Sequence, residues 1–524
     1  PVDLLWNGGI GTYVKSAHET HADVGDRAND ALRVNGDELR VRMVVEGGNL
    51  GLTQRGRVEY ALAGGLVFTD AIDNSAGVDC SDHEVNIKIL LDSCVASGDL
   101  TLKQRNELLA AMEDEVGELV LEDNRAQTLA LTIARAQAAP MVDVHTRYLR
   151  SLEQEQLIDR QIEFLPAEKQ LGERAAAGLG LSTPELAVLL AYTKTTNVAE
   201  LLRSDLPDEP YVQQRAVDYF PSLLRERFAA AMANHRLRRE IISTQLTNAM
   251  VNRAGISFDH RMTEETGANV PDITRAHIVA GDAFGLDLWW EAIDDLGTSV
   301  DVQVQLDMLL DLRRMVERGV LWLLRHRRPP LDLGGTVAAF RPGVDALAVD
   351  MAAHVPGAMG ASLQERLRAR LAAGVPRELA ERSAVWPLLH TAFDIVEIAV
   401  ARGRTPIETA GIYWGLFEVL DVAWLWERIG TLPRADRWQS HARAAQRDDL
   451  LSCLRDLTGE AMRAGDMFTP PSQIVRAWTT ANERAVRRVL RVFAEIRTGG
   501  TFDLTTLSVA LRQLRNVVLA TGPA

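Results

Sequence analysis

The sequence predicts an α/β segment followed by an all-α region, and three observations carry this. Short β-branched runs alternate with helical patterns over the first hundred residues. Each strand-like run leads into a small-residue or polar turn. Beyond about residue 95 the strand signal stops and apolar residues recur at helical spacing. A βαβαβ order of this kind requires parallel strands joined by crossover helices.

Residues 2–6 (VDLLW) read as a short buried strand closed by Asn7-Gly8-Gly9. Residues 16–36 read as a helix, with Ser16 and Glu19 at capping-box spacing. Residues 41–45 (VRMVV) form the second strand and pass through Glu46 into Gly47-Gly48-Asn49. Residues 53–65 read as a short helix stopped by Gly64 and Gly65. Residues 66–69 are the third strand, followed by the polar stretch TDAIDNSAGVDCSDHE. Ser81 and Glu84 stand at S-x-x-E spacing before VNIKILLD, which predicts a helix with Ser81 as its N-cap. Such a start offers free N–H groups and a positive dipole end to a carboxylate.

Farther on, Thr183-Pro184-Glu185 supplies an N-cap, a first-position proline and an acid in the first turn. Residues 221–255 read as one long helix ending at Gly255, and 304–330 as another broken by Pro329-Pro330. The expected organisation is residues 1–95, 96–330 and 331–524, on the usual scale of about 100–200 residues per domain. The chain opens on Pro1 and enters a strand at once, as a piece cut from a longer sheet does.

Hydrophobic content of 47% with 25% charged residues is globular composition. A net charge of −15 argues against nucleic acid or an anionic membrane as partner. Cys80, Cys94 and Cys453 form no disulfide framework, which points to a reducing, cytoplasmic setting. No apolar run approaches the roughly 20 residues that span a bilayer, and no signal peptide opens the sequence.

In open parallel sheets, ligands bind beyond the carboxyl ends of the strands. Three such ends are legible: Asn7-Gly8-Gly9, Glu46 to Asn49, and Asp70 to Val78. Each combines small residues, which admit close backbone approach, with an amide that donates and accepts hydrogen bonds. Any one is explained as well by turn formation; three together fit a polar planar ligand such as a nicotinamide ribose. A metal on Cys80, Asp82, His83 and Glu84 is disfavoured, because near-consecutive residues at a helix start point in different directions. Gly8-Gly9-Ile10-Gly11 is not a G-x-G-x-x-G fingerprint. His235, His260, His277 and His390 are expected as surface or satisfied core residues, and 325–330 (RHRRPP) as a solvated helix end. Nine of the ten tryptophans lie beyond residue 280 and are expected as core or interface anchors.

Four stretches, LLWNGGIGTYVK, HADVGDRANDALRVNG, EGGNLGLTQRGR and TDAIDNSAGVDCSDHEVNIKILLD, together closely resemble the large bacterial NAD-specific glutamate dehydrogenases. The resemblance implies the second half of a Rossmann-like parallel sheet followed by a large helical domain, NAD as cofactor, and L-glutamate and 2-oxoglutarate as substrate and product. It also implies a homo-oligomer. The family's E-G-A-N motif falls on Glu46-Gly47-Gly48-Asn49, and its N-A-G-G-V motif with a following Ser falls on Asn74 to Val78 and Ser81. The strand-end reading and that carry-over together make Asn7, Gly8, Gly48, Asn49 and Asn74 the expected cofactor-binding residues. On the carry-over Asn74, Val78 and Ser81 bind the substrate, with Val78 walling its side-chain slot and Ser81 bonding its distal carboxylate. Gly48 replaces Ala, Ser75-Ala76 replaces Ala-Gly, and Asp79 sets an acid between motif and Ser81. The family's catalytic Lys, general-acid Asp and phosphate loop lie upstream, so the resemblance implies no catalytic residue and no independent activity in these residues. Two other readings are a branched-chain or aromatic amino acid dehydrogenase, in which an apolar residue would stand at Ser81, and an assembly or regulatory module in 96–524.

Overall fold

The computed structural model describes residues 2–434 and 436–521. The chain divides into two compact units, Pro1–Thr274 and Arg275–Ala524.

The first unit opens with four short strands, β1 (Leu4–Asn7), β2 (Val14–Lys15), β3 (Val34–Asn35) and β4 (Met43–Glu46). β1 pairs in parallel with β4, from Leu4 opposite Met43 to Asn7 opposite Glu46. β2 and β3 form a second parallel pair. The expected third strand shrinks to a bridge: Leu66 lies parallel to Met43, donating to the Arg42 carbonyl (3.0 Å) and accepting from Val44 N–H (2.9 Å). Pairing stops because Thr69 already leads into the Asp70–Asp73 helix. β1 is not buried either, with Leu4 52% and Trp6 66% exposed, whereas Val44 and Glu46 on β4 are buried.

The helix expected over 16–36 is absent. Thr20 caps a single turn, His21–Val24, and Gly25 ends it at φ 76°. The segment wraps around the buried Arg33, whose guanidinium donates to the carbonyls of Thr12 (2.9 Å) and Asp26 (2.5 Å) and to the Asp30 carboxylate (2.6 Å). One buried cation satisfied by local acceptors outweighs weak helical propensity here.

The remaining helices follow their caps more closely. Thr53 caps Gln54–Leu62, accepting from Gly56 N–H (3.0 Å). Thr183–Leu202 has its capping box at Ser182 and Glu185, one residue earlier than expected. The long helix expected over 221–255 is two, Ser222–Ala233 and Arg238–Ala254. Between them the buried His235 bonds the Asn86 carbonyl (3.1 Å) through Nε2 and accepts from Leu237 N–H (3.1 Å), a local bond that interrupts the helical ladder. The core of this unit includes Leu131, Leu149, Leu186 and Val251, with a second cluster on Leu90, Leu91, Phe220 and Leu224.

The second unit is helical among the described residues. Val302–His326, capped by Asp301, carries Trp322 into an aromatic centre. There Phe393 meets Phe284 (4.8 Å), Phe340 (4.8 Å) and Trp322 (5.3 Å) between ring centroids. The indole N–H of Trp322 donates to Asp394 (2.7 Å), which burial holds up at about 6. Trp386, Trp414 and Trp478 are core residues as expected, but Trp438 is 74% exposed. The basic run at 325–330 is not simply solvated: Arg325 pairs with Asp448, and Arg327 pairs with Glu397 (2.8 Å) while lying over the Trp322 ring. Among the described residues no single helix is long and apolar enough to cross a membrane; the bent pair Arg377–Leu389 and Ala392–Arg402 passes only when taken together.

Candidate active site

β1 and β4 end on the same edge, at Asn7 and Glu46. Glu46 is fully buried, and Arg57 grips it through Nε (2.6 Å) and Nη2 (2.9 Å). Leu52 N–H adds a third bond to the carboxylate (3.0 Å). Arg57 also reaches Asp70 (3.0 Å), whose second oxygen accepts from Leu50 N–H (2.8 Å). Asp73 accepts from Glu46 N–H (2.9 Å). One guanidinium and three carboxylates thus clasp the end of β4, the 47–52 loop and the Asp70–Asp73 helix. Acids outnumber the cation, and burial pushes Asp73 up to about 6 against the bond from Glu46 N–H. The sequence reading missed Arg57 and this clasp, although a Glu closing an apolar strand with an Arg on the next helix was a visible signal.

Two of the three expected amide side chains meet here, Asn74 Nδ2 donating to Asn49 Oδ1 (2.9 Å), while Asn7 joins through its backbone carbonyl, which accepts from Gly48 N–H (3.0 Å). Asn7 Nδ2 is buried without a partner and lies against Gly51, where a Cβ would sit 1.7 Å from it. At Gly48 a Cβ would lie 2.4 Å from the Gly9 carbonyl oxygen. The alanine expected at that motif position therefore does not fit without moving the 7–9 turn. Gly48→Ala is expected to destabilise the unit by about 1–3 kcal/mol, the usual range for overpacking, as read by urea unfolding.

Asn74, Val78 and Ser81 are spaced i, i+4 and i+7, which puts them on one helix face. Val78 is 73% exposed and Ser81 is exposed. Ser81 is not an N-cap. The helix starts at Ser75 and runs to Ala96, because the Asp70–Asp73 turn feeds into it through Asn74. Glu84 pairs instead with Lys88 one turn on. The free N–H groups of the helix start therefore precede Ser81, which offers only its hydroxyl. Asn124, on the Glu113–Ala136 helix, secures that start by donating to the Ile72 carbonyl and the Ser75 hydroxyl (2.9 Å each).

Asp79 lies about 100° farther round the helix than Val78. It turns towards His83 and Asp123, the three ligand atoms lying within 4.8 Å of one another. It therefore does not face the Val78–Ser81 surface, and its charge does not oppose a dicarboxylate there. Burial and the nearby charges of Asp123 and Asp82 raise it to about 7. The set Cys80, Asp82, His83 and Glu84 does not converge, since Cys80 is exposed and Asp82 accepts from the Tyr219 hydroxyl (2.8 Å). His235, His277 and His390 are buried. In the second unit, a cavity of about 720 Å³ lined by Arg318, Phe417, Trp424 and Trp426 contains none of the expected site residues.

Residues 178–516 match the family model described as glutamate dehydrogenase, C-terminal, and residues 1–134 match that of the bacterial NAD-glutamate dehydrogenase catalytic domain. The chain belongs to the glutamate dehydrogenase family. The NAD-specific glutamate dehydrogenase of Pseudomonas aeruginosa is 43% identical over 517 residues, covering 99% of this chain and 32% of that protein. Those of Mycobacterium tuberculosis (41% over 522 residues) and Halomonas elongata (42% over 513 residues) cover 100% and 98% of this chain, and 32% of their own lengths. This chain spans about a third of the length of these curated relatives. Every described strand and all of Asn7, Gly8, Gly48, Asn49, Asn74, Val78 and Ser81 fall inside the catalytic-domain match.

Proposed function

We propose that this chain is part of an NAD-dependent glutamate dehydrogenase, interconverting L-glutamate with 2-oxoglutarate and ammonia, and that it supplies part of the nicotinamide and substrate pocket. The observation that carries this is the hydrogen bond between the Asn49 and Asn74 amides, in the loop that follows Glu46 at the parallel strand ends, with Val78 and Ser81 exposed on the helix that follows Asn74. On this reading β1 and β4 belong to the second half of a Rossmann-like sheet. The buried, unpartnered amide of Asn7 suits a carboxamide-bearing cofactor, with Gly8 and Gly48 letting backbone approach it and Asn49 and Asn74 orienting the ribose. Asn74 also holds the reacting end of glutamate, Val78 borders its methylenes and Ser81 donates to its distal carboxylate. NAD, when bound, accepts the hydride. The exposed apolar side chains of Leu4, Leu5 and Trp6 are then covered by the rest of the same enzyme's catalytic domain, which contributes the catalytic Lys and Asp and the phosphate loop.

Replacing Ser81 with alanine in the complete enzyme tests the substrate assignment. A hydrogen bond to a charged group is worth about 1.5–3 kcal/mol, so KM for glutamate should rise roughly 10- to 100-fold while KM for NAD holds. An unchanged glutamate KM removes Ser81 from the pocket. The choice of glutamate over a branched-chain or aromatic amino acid rests on this polar position.

For the helical region we propose an assembly role in a homo-oligomer. Large apolar side chains stand on its surface, including Trp438 (74% exposed), Phe468 (83%) and Leu519 (80%), the composition an interface between subunits uses. Cys80, Cys94 and Cys453 are all free, which suits a cytoplasmic enzyme.

A further inference from the structure

We propose that Asp79, His83 and Asp123 form a binding site for one divalent transition-metal ion of the Zn²⁺ type. Asp79 and His83 stand four residues apart on the Ser75–Ala96 helix, the spacing at which one helix presents two ligands to one ion. Asp123 comes from Glu113–Ala136, which packs alongside. A carboxylate oxygen of each aspartate and a ring nitrogen of His83 lie within 4.8 Å of one another.

The imidazole is the independent sign. His83 is only 2% exposed, and neither of its ring nitrogens has a hydrogen-bond partner. A buried polar group left in that state is costly, and an unpartnered ring nitrogen within 4.8 Å of two carboxylate oxygens is accounted for by a cation between them. The ring is held in place by stacking on Tyr219, with centroids 4.5 Å apart and planes 13° from parallel. Asp79 Oδ2 is likewise buried and unpartnered.

Charge points the same way. Two half-buried carboxylates side by side repel each other, and Asp123 contributes to raising Asp79. Lys194, on Thr183–Leu202, offsets both acids through space, and burial lowers its own pKa to about 8. A dication bonded directly to both carboxylates neutralises them more completely. Two carboxylate oxygens and one imidazole are a borderline-hard set suited to Zn²⁺ or Mn²⁺, and three protein ligands leave a position for water. Metal–ligand bonds of about 2.0–2.2 Å require the three side chains to close in by roughly an ångström, within reach of small χ rotations. The ion would fasten the helix bearing Asn74, Val78 and Ser81 to Glu113–Ala136 from the face turned away from the pocket. These residues are positioning residues, and the site does not depend on the identity of the substrate.

Titration of the metal-free full chain with Zn²⁺ by calorimetry, and with Co²⁺ by visible absorption, tests the proposal. One equivalent should bind. His83→Gln and Asp123→Asn should each weaken binding at least about 10-fold, and His83→Gln should alter the Co²⁺ d–d bands that report imidazole ligation. Lys194→Met removes the competing ammonium and should tighten Zn²⁺ binding, a gain that misfolding cannot mimic. His21→Ala, at an exposed histidine, should change nothing. Failure of the chain to bind Zn²⁺, or binding that His83→Gln and Asp123→Asn leave intact, overturns the site.

Discussion

Arg57→Met is expected to destabilise the first unit by about 3–5 kcal/mol, the cost of removing one partner from a buried ion pair. Glu46 is wholly inside, and its two oxygens take bonds from Arg57 Nε (2.6 Å) and Nη2 (2.9 Å), leaving only Leu52 N–H if the guanidinium goes. The same change frees Asp70, which the guanidinium meets at 3.0 Å. Denaturant unfolding gives the magnitude, and hydrogen exchange at Val44 and Val45 locates it at β4. Adding Glu46→Gln to Arg57→Met should recover part of the loss, since no charge is then stranded at that position. If the single variant unfolds at the wild-type midpoint, the clasp does not hold the strand ends together.

The second large effect belongs to the other unit. Phe393→Ala should cost about 3–5 kcal/mol, because a fully buried ring is replaced by a cavity. Three aromatic neighbours, Phe284, Phe340 and Trp322, lose their contact face at once, and aromatic pairs add to simple burial. Trp322 fluorescence reports the loosening directly, since its N–H bond to Asp394 fixes the indole beside the new void. Val400→Ala, at a side chain 74% exposed, serves as the control and should stay within about 0.5 kcal/mol of wild type. A Phe393→Ala midpoint as close to wild type as that control would mean that the ring is not part of the core.

Local punctuation in the sequence was read well where a single cap decides an outcome. Thr53 and the box at Ser182 and Glu185 start their helices within a residue of the expected place. The same spacing misled at Ser81, because S-x-x-E cannot reveal that the residues before it are already helical, and Lys88 takes Glu84 away. The segment 16–36 failed for a different reason: Arg33 buries its charge among carbonyls and an acid from its own loop, and no window of propensities registers a burial decided by tertiary contact. His235 likewise splits a helix through its bond to the distant Asn86 carbonyl. Among the proposed site residues, the turn after β1 at Asn7 and the loop after β4 at Asn49 were legible from the strand pattern, and Asn74 meets Asn49 although no full strand precedes it. Arg57, Asp73 and Asn124 were not legible, because their importance lies in partners 11 to 52 residues away.

On the proposed reading of the pocket, the hydrogen bond between the Asn74 and Asn49 amides has a consequence for affinity. Two side chains that would otherwise sample several rotamers are already locked by each other, so folding, rather than docking, bears their loss of conformational entropy. Each amide still has valences free, since Asn74 donates one N–H and Asn49 uses one lone pair. On the proposed reading, a planar cofactor would engage a preorganised pair without first breaking it, and rigidity at these two positions would become tighter binding with no contact added.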